Sequence, residues 1–175
     1  MGVSSNTIRE WISLLEASFV IILLQPYHEN FGKRLIKSPK LYFTDVGLAT
    51  YLLGIKDTLQ LSRDPLRGAL VENLVIVELI KSRINRGLDP QLYFYRDVQG
   101  HELDLIFQSS HELIPIEIKS AQSFHKEFLK NLLFFQQLVL ERCQKGFLIY
   151  TGQEEQSIGM LHILNYMHAA NILAS

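Results

Sequence analysis

The stretch HELDLIF at residues 101–107, with IPIEIK at residues 114–119, decides the fold predicted for this chain. Both segments are rich in aliphatic residues, and the polar residues 108–112 between them are typical of a turn, so the two segments are predicted to form a β-hairpin. Charged side chains interrupt this apolar pattern at Asp104, Glu117 and Lys119. Charged residues are seldom buried unless they are paired or bind a metal. The hairpin is therefore the first candidate for a functional site.

Side-chain alternation along the hairpin predicts that its charges converge. On the first strand Asp104 is expected to point away from a face shared by Leu103 and Leu105, and on the second strand Glu117 and Lys119 point the same way. Two close carboxylates repel each other unless a proton or a cation lies between them. Mg²⁺ and Mn²⁺ prefer oxygen ligands, so a divalent-metal and phosphodiester site is expected. The lysine would activate water or stabilise charge on a phosphate.

Composition restricts the class of protein without identifying a function. The chain has 175 residues, of which 47% are hydrophobic, enough for one medium-sized domain or one domain with a small appendage. The net charge of −1 means that any nucleic-acid role rests on a local patch or a metal. Cys143 is the only cysteine, which fits a reducing compartment, and we expect a cytoplasmic protein. The longest apolar run, residues 19–24, is far shorter than the ~20 residues of a membrane-spanning helix, so no membrane partner is expected.

Periodicity and turn signals divide the chain at a polar connection over residues 56–67. Before it, the pattern predicts helices over 7–17 and 46–53 and strands over 19–24 and 41–43, with a turn at 30–32. After it, the pattern predicts the following elements: a helix over 68–85, a strand over 92–95, the two acidic strands, a helix over 124–143, strands over 146–151 and 160–164, and a closing helix over 165–173. Three meandering strands followed by a helical crossover indicate an α/β fold, with a mixed sheet flanked by helices.

A helix acid at Glu72, then Asp104, then the Glu117-Ile118-Lys119 strand resembles the PD-(D/E)xK nuclease superfamily, which has the restriction-endonuclease-like fold. The resemblance implies that Glu72, Asp104, Glu117 and Lys119 are catalytic. It also implies that Asp104, Glu117 and Glu72 bind Mg²⁺ or Mn²⁺. One departure is Leu103, which stands where the superfamily pattern has a proline.

A resemblance over nearly the whole chain rests on several short segments. They are KR at 33–34, KSPK at 37–40, YFTDVGL at 42–48, GALVEN at 68–73, YRD at 95–97 and EIK at 117–119. They make the chain similar to the DUF4143 region at the C-terminus of a bacterial and archaeal AAA+ ATPase family. This implies a partial winged-helix module over 1–55, a linker over 56–67 and a restriction-endonuclease-like domain over 68–175. The ATPase domain of the parent chain would be a partner. The sequence contains no G-x-x-x-x-G-K-[ST] motif, so we expect no ATP site in it and a C-terminal fragment that begins partway through the winged helix.

Two functions remain open at this point. One is a metal-dependent nuclease that hydrolyses nucleic-acid phosphodiester bonds, and the other is a non-catalytic DNA- or protein-interaction module that regulates the ATPase. The basic residues of the predicted wing either contact nucleic-acid phosphates or form a solvated surface; they are Lys33, Arg34, Lys37 and Lys40.

Overall fold

A computed structural model describes residues 2–29 and 35–173. The N-terminal elements are α1 (Ser5–Ala17), β1 (Ile21–Leu24), β2 (Lys40–Phe43), α2 (Val46–Leu52) and α3 (Thr58–Arg63). They are followed by α4 (Arg67–Ile84), β3 (Leu92–Arg96), β4 (Glu102–Ser109), β5 (Glu112–Lys119), α5 (Lys130–Val139), β6 (Gly146–Tyr150), β7 (Gln156–Ile158) and β8 (Leu161–Asn165). Short 3-10 helices cover Lys126–Leu129, Leu140–Arg142 and Tyr166–Leu173. None of the described helices is both long enough and apolar enough to span a lipid bilayer.

The main sheet has six strands in the order β3-β4-β5-β6-β8-β7. Strands β3, β4 and β5 form an antiparallel meander, β5, β6 and β8 run parallel, and β7 is an antiparallel edge strand. The predicted α/β class with a mixed sheet flanked by helices is confirmed. The short strand β7 was not predicted, because its three residues are all exposed and carry no apolar alternation.

Helices cover both faces of this sheet. On one face α4 packs Ile76, Leu79 and Ile80 against alternate residues of β5 such as Ile116. On the other face α5 packs Leu132 and Phe135. Strand β5 is therefore buried on both sides, which explains its nearly continuous apolar sequence.

Two predicted helices differ from the structure. The helix predicted over 124–143 is α-helical only from Lys130 to Val139, with 3-10 turns on either side. Leu140 has a φ of 50°, a left-handed conformation that an α-helix cannot continue through. The predicted closing helix is a 3-10 helix over Tyr166–Leu173. Side-chain periodicity does not separate these helix types over so few residues.

The N-terminal elements lie against the main sheet. Strands β1 and β2 form a two-stranded antiparallel sheet, and Leu24 and Tyr42 are buried in the same apolar cluster as α4. The polar connection predicted over 56–67 contains helix α3, which Asp57 caps by accepting a hydrogen bond from the Gln60 backbone N–H at 2.7 Å. Its role as a domain boundary stays a prediction. The predicted turn at 30–32, and Lys33 and Arg34, lie outside the described residues.

A β-bulge in β4 changes the face of the sheet towards which the side chain before Asp104 points. Tyr93 pairs with Ile106 and Tyr95 pairs with Leu103, so β4 has one residue more than β3 over this stretch. As a result Leu105 packs in the α4 core, whereas Leu103 packs in the α5 core. The expectation that Leu103 and Leu105 share a face was wrong, because a bulge reverses the alternation beyond it.

Candidate functional site

The bulge directs the Asp104 side chain between β4 and β5. On this side the β4–β5 register ends at the pair Leu105 and Ile116. One residue further, the Asp104 carboxylate accepts a hydrogen bond from the Ile118 backbone N–H at 2.8 Å. A side-chain oxygen therefore replaces a backbone partner, and the Glu117 carboxylate is close enough to raise the pKa of Asp104. Bulges re-aim side chains in this way and often occur next to active sites.

Glu117 is a buried carboxylate whose two oxygens differ in their hydrogen-bond partners. It is only 2% exposed, and its Oε1 accepts hydrogen bonds from Lys119 Nζ at 2.6 Å and from Asn131 Nδ2 of α5 at 3.1 Å. Its Oε2 is buried and has no hydrogen-bond partner within the described part of the chain. Burial raises the pKa of Glu117 despite the opposing effects of Lys119 and Asn131.

The neighbouring Asp104 is also difficult to ionise without a cation. Burial, followed by the charges of Glu117 and Glu72, raises the pKa of Asp104 to about 8. Burial alone would lower the pKa of Lys119, but Glu117, Asp104 and Glu72 together raise it, so Lys119 stays an ammonium ion at neutral pH. Lys119 thus faces two inward carboxylates with a single positive charge.

Glu72 approaches from α4 but is held by the N-terminal strand β2. Its Oε1 accepts hydrogen bonds from Tyr42 OH at 2.5 Å and from Lys40 Nζ at 3.2 Å. Lys40 also forms an ion pair with Glu102 Oε1 at 2.6 Å. Burial, followed by the charge of Glu72, raises the pKa of Tyr42, so its hydroxyl remains a donor. Glu72 is thus close enough to influence Asp104 while its Oε1 is committed to β2.

The structure brings the four predicted catalytic residues together, whereas the predicted basic patch stays a prediction because Lys33 and Arg34 lie outside the described residues. Lys40 is half-buried among acids rather than displayed on a wing, and Lys37 is exposed. Three further polar residues that contact Glu72, Lys40 or Glu117 were not predicted as site residues: Tyr42, Glu102 and Asn131. The sequence does not distinguish Asn131, because the same helix also contains Lys130, Gln136 and Gln137.

The cluster can offer a divalent metal two inward carboxylates. Across residues 2–29 and 35–173, no group of three or more His, Cys, Asp and Glu side chains is arranged to hold a metal ion. Mg²⁺ binds through as few as one or two carboxylates and completes its shell with water and substrate oxygens. The unpartnered Glu117 Oε2 and the adjacent Asp104 carboxylate fit that donor set.

Comparison with known proteins gives a family and uncharacterised relatives. Residues 1–59 match the family model of a domain of unknown function, DUF8612. The uncharacterized proteins Rv2008c of Mycobacterium tuberculosis and Mb2031c of Mycobacterium bovis are each 38% identical over 124 residues, which is 70% of this chain. The matched stretch covers 27% of each relative, so the chain spans about a quarter of their length.

One solved structure, of Thermococcus gammatolerans McrB AAA+ hexamers with bound McrC, contains a chain with a TM-score of 0.40 and 9% identity. The alignment covers 90% of this chain and 60% of that one, and a likeness at this level does not establish a shared fold. The family model of the domain of unknown function DUF4143 matches residues 67–169, which include α4, β4, β5 and α5. This chain therefore belongs to the DUF4143 family.

Proposed function

We propose that the cluster around Asp104 and Glu117 is a metal-dependent site that hydrolyses nucleic-acid phosphodiester bonds. Asp104 and Glu117 would hold Mg²⁺ or Mn²⁺, and Glu72 would lie at the edge of the site. The bound metal would supply a more acidic water and neutralise charge on the phosphate. The arrangement of α4, a three-stranded meander and α5 supports the same proposal, because it has the order expected for a PD-(D/E)xK nuclease.

The observation that carries the proposal is the buried Glu117 Oε2, which has no hydrogen-bond partner among the described residues. An unpaired buried carboxylate oxygen costs folding free energy unless a proton or a cation compensates it. The charge of Glu117 also raises the pKa of Asp104, so ionising both buried acids costs more than ionising one. A divalent cation between the two would remove both costs at once.

Lys119 would act as a cation rather than as a base. Its pKa is raised above the ordinary value, chiefly by the carboxylate of Glu117. A lysine serves as a general base only when its pKa is lowered towards neutrality. The Lys119 ammonium, at 33% side-chain exposure, would therefore orient Glu117 and stabilise negative charge that develops on a phosphate.

The experiment measures Mn²⁺ binding and cleavage on the same samples of the full chain. Isothermal titration with Mn²⁺ compares the wild type with Glu117→Gln and with Glu141→Gln, an exposed acid outside the cluster. Fluorescent single- and double-stranded DNA and RNA are then incubated with Mg²⁺, Mn²⁺ or EDTA. We expect metal-dependent cleavage by the wild type and by Glu141→Gln, and loss of both metal binding and cleavage in Glu117→Gln.

The outcomes separate the two functions considered for this family. Glu117-dependent metal binding without cleavage of any substrate would favour a regulatory interaction module. Equal metal binding by the wild type and Glu117→Gln would refute the metal site. The proposed ATPase partner is tested separately, by sequencing the complete reading frame for a G-x-x-x-x-G-K-[ST] motif.

A further inference from the structure

Lys40 is built into the site by contacts on several sides. Its ammonium group contacts Glu72 Oε1 at 3.2 Å and Glu102 Oε1 at 2.6 Å, and lies 5.5 Å from the centre of the Phe94 ring. The other oxygen of Glu102 pairs with Arg96 Nε at 3.2 Å, which fixes Glu102 in turn. The Lys40 side chain is only 20% exposed. Such a position differs from that of a mobile surface lysine, whose ion pairs contribute little.

Lys40 remains charged in this environment. Burial by itself would lower its pKa, but Glu72, Glu102 and Asp104 together raise the pKa above the ordinary value. Lys40 thus supplies a permanent positive charge on the α4 side of Asp104, while Lys119 supplies one beside Glu117. The two lysines come from β2 and from the end of β5 and pair with different acids: Lys40 with Glu72 and Glu102, and Lys119 with Glu117.

The Lys40 ammonium group helps to hold the Glu72 side chain in place. Both the Lys40 ammonium and the Tyr42 hydroxyl bind the same oxygen, Oε1 of Glu72. Glu72 is near enough to raise the pKa of Asp104, yet its Oε1 is engaged by these two donors from β2. A carboxylate bound to an ammonium group has less negative charge to offer a metal ion.

We propose that Lys40 is a resident counter-ion which withholds Glu72 from metal binding and thereby sets the metal affinity of the site. The inference rests on the proposed metal site. It means that the site is a composite of both parts of the chain, because Lys40 and Tyr42 lie within residues 1–59 whereas the carboxylates on α4, β4 and β5 lie within residues 67–169. A change in the position of β2 would change the number of carboxylates available to the metal.

The test is isothermal titration with Mn²⁺ of the full chain in five forms. They are the wild type, Lys40→Met, Lys40→Arg, Lys40→Met with Glu72→Gln, and Lys56→Met as the matched control. Lys56 is an exposed lysine outside the site. We expect Lys40→Met to bind Mn²⁺ roughly tenfold more tightly, because a positive charge is removed and a carboxylate is released. We expect Lys40→Arg and Lys56→Met to bind as the wild type does, and the double variant to lose the gain.

A further variant covers the case in which Lys40→Met does not fold. Tyr42→Phe removes only the hydroxyl donor to Glu72 and keeps the buried ring, so it should tighten Mn²⁺ binding in the same direction by a smaller factor. Melting curves and circular dichroism establish that each variant is folded before titration.

Failure of this inference differs from failure of the proposed function. Glu117-dependent Mn²⁺ binding by the wild type, with binding unchanged or weakened in folded Lys40→Met and Tyr42→Phe, would overturn the counter-ion role and leave the metal site standing. Tightening that persists in the Lys40→Met, Glu72→Gln double variant would also overturn it. Absence of Mn²⁺ binding in every form would overturn both.

Discussion

At the scale of single residues, the site is defined by an imbalance of charge. Asp104 binds the backbone of β5, Glu117 contacts Asn131 of α5, and Lys119 is the cation that pairs with Glu117. Burial is the main cause of the raised pKa of both carboxylates. The charges of Glu117 and Glu72 add to it at Asp104, and the charge of Glu72 adds to it at Glu117. These three side chains therefore respond strongly to substitution, to pH and to a metal.

Substitution of Lys119 tests whether its charge is used in catalysis. We expect Lys119→Ala to lower metal-dependent cleavage by roughly 10²–10⁴-fold, the usual scale for the loss of one electrostatic or acid–base group. Mn²⁺ binding should persist because Asp104 and Glu117 remain. Cleavage assays and Mn²⁺ titration measure the two effects, with Lys56→Ala as a control at an exposed lysine. Unchanged cleavage with a lower melting temperature would show that Lys119 only compensates the acids.

The raised pKa of Asp104 predicts how stability depends on pH in the absence of metal. The folded state holds its proton up to about pH 8, whereas the unfolded chain releases it near pH 4. This stabilising contribution is therefore complete below pH ~4 and is lost as the pH rises through 8. Between pH 6 and 8 the slope is at most about 1.4 kcal/mol per pH unit, or about 3–6 °C in Tm for a chain of this size.

Thermal melting of the metal-free protein checks this prediction. The Tm of the wild type in EDTA should fall between pH 6 and pH 8, and the Tm of Asp104→Asn should fall less steeply. Saturating Mn²⁺ should oppose the fall, because the metal replaces the proton. Parallel Tm–pH curves for the wild type and Asp104→Asn would contradict the assignment.

At the scale of elements, one side chain connects the N-terminal sheet to the main helix. Asn73 of α4 accepts a hydrogen bond from the Phe43 backbone N–H at 2.8 Å and donates one to the Phe43 carbonyl at 2.7 Å. It thus pairs with β2 as a neighbouring strand would. Tyr42 and Lys40 of the same strand bind Glu72, one residue earlier on α4. The position of β2 over the site therefore depends on this pairing.

Removal of the Asn73 amide should separate these elements. We expect Asn73→Ala to lower the free energy of unfolding by roughly 1–3 kcal/mol, because both Phe43 backbone groups lose their partner. Urea denaturation measures the change, with Glu78→Ala as a control at an exposed position of the same helix, where about 0.5 kcal/mol or less is expected. A loss no larger than that of the control would show that water replaces the amide without cost.

At the scale of the whole molecule, the two regions matched by different family models share one core. Leu24 and Tyr42 of the N-terminal sheet belong to the same buried cluster as Val75 and Ile76 of α4 and Ile116 of β5. Pro26 also forms a bridge with Phe94, beside the main sheet. Regions that share buried side chains unfold together.

Calorimetry tests this coupling. We expect one heat-absorption peak for the full chain, with a calorimetric enthalpy equal to the van't Hoff enthalpy. A separate transition at lower temperature would instead identify residues 1–55 as an independent module, as the resemblance to a winged helix implies. The same measurement on Asn73→Ala shows whether the pairing of Asn73 with Phe43 carries the coupling.

The local sequence determined where most helices and strands lie and which two acids, Asp104 and Glu117, are brought together. Apolar periodicity located α4, the meander and β6, because a stripe of apolar residues can be buried only by a helix or strand of matching period. Charges within an apolar hairpin indicated Asp104, Glu117 and Lys119, because burying a charge costs free energy unless the charge is paired or binds a metal. These inferences use only near neighbours in the chain, where the sequence is most informative.

Tertiary structure alone decided how the site is completed. The bulge that turns Asp104 between the strands arises from the pairing of β4 with β3, which no pattern within β4 reveals. The contacts of Lys40 with Glu72 and Glu102, and of Asn131 with Glu117, join residues that are distant in sequence. Lys40 therefore looked like part of an exposed basic wing. Burial and charge pairing depend on which elements the folded chain brings together, so the role of such a residue follows from its three-dimensional neighbours.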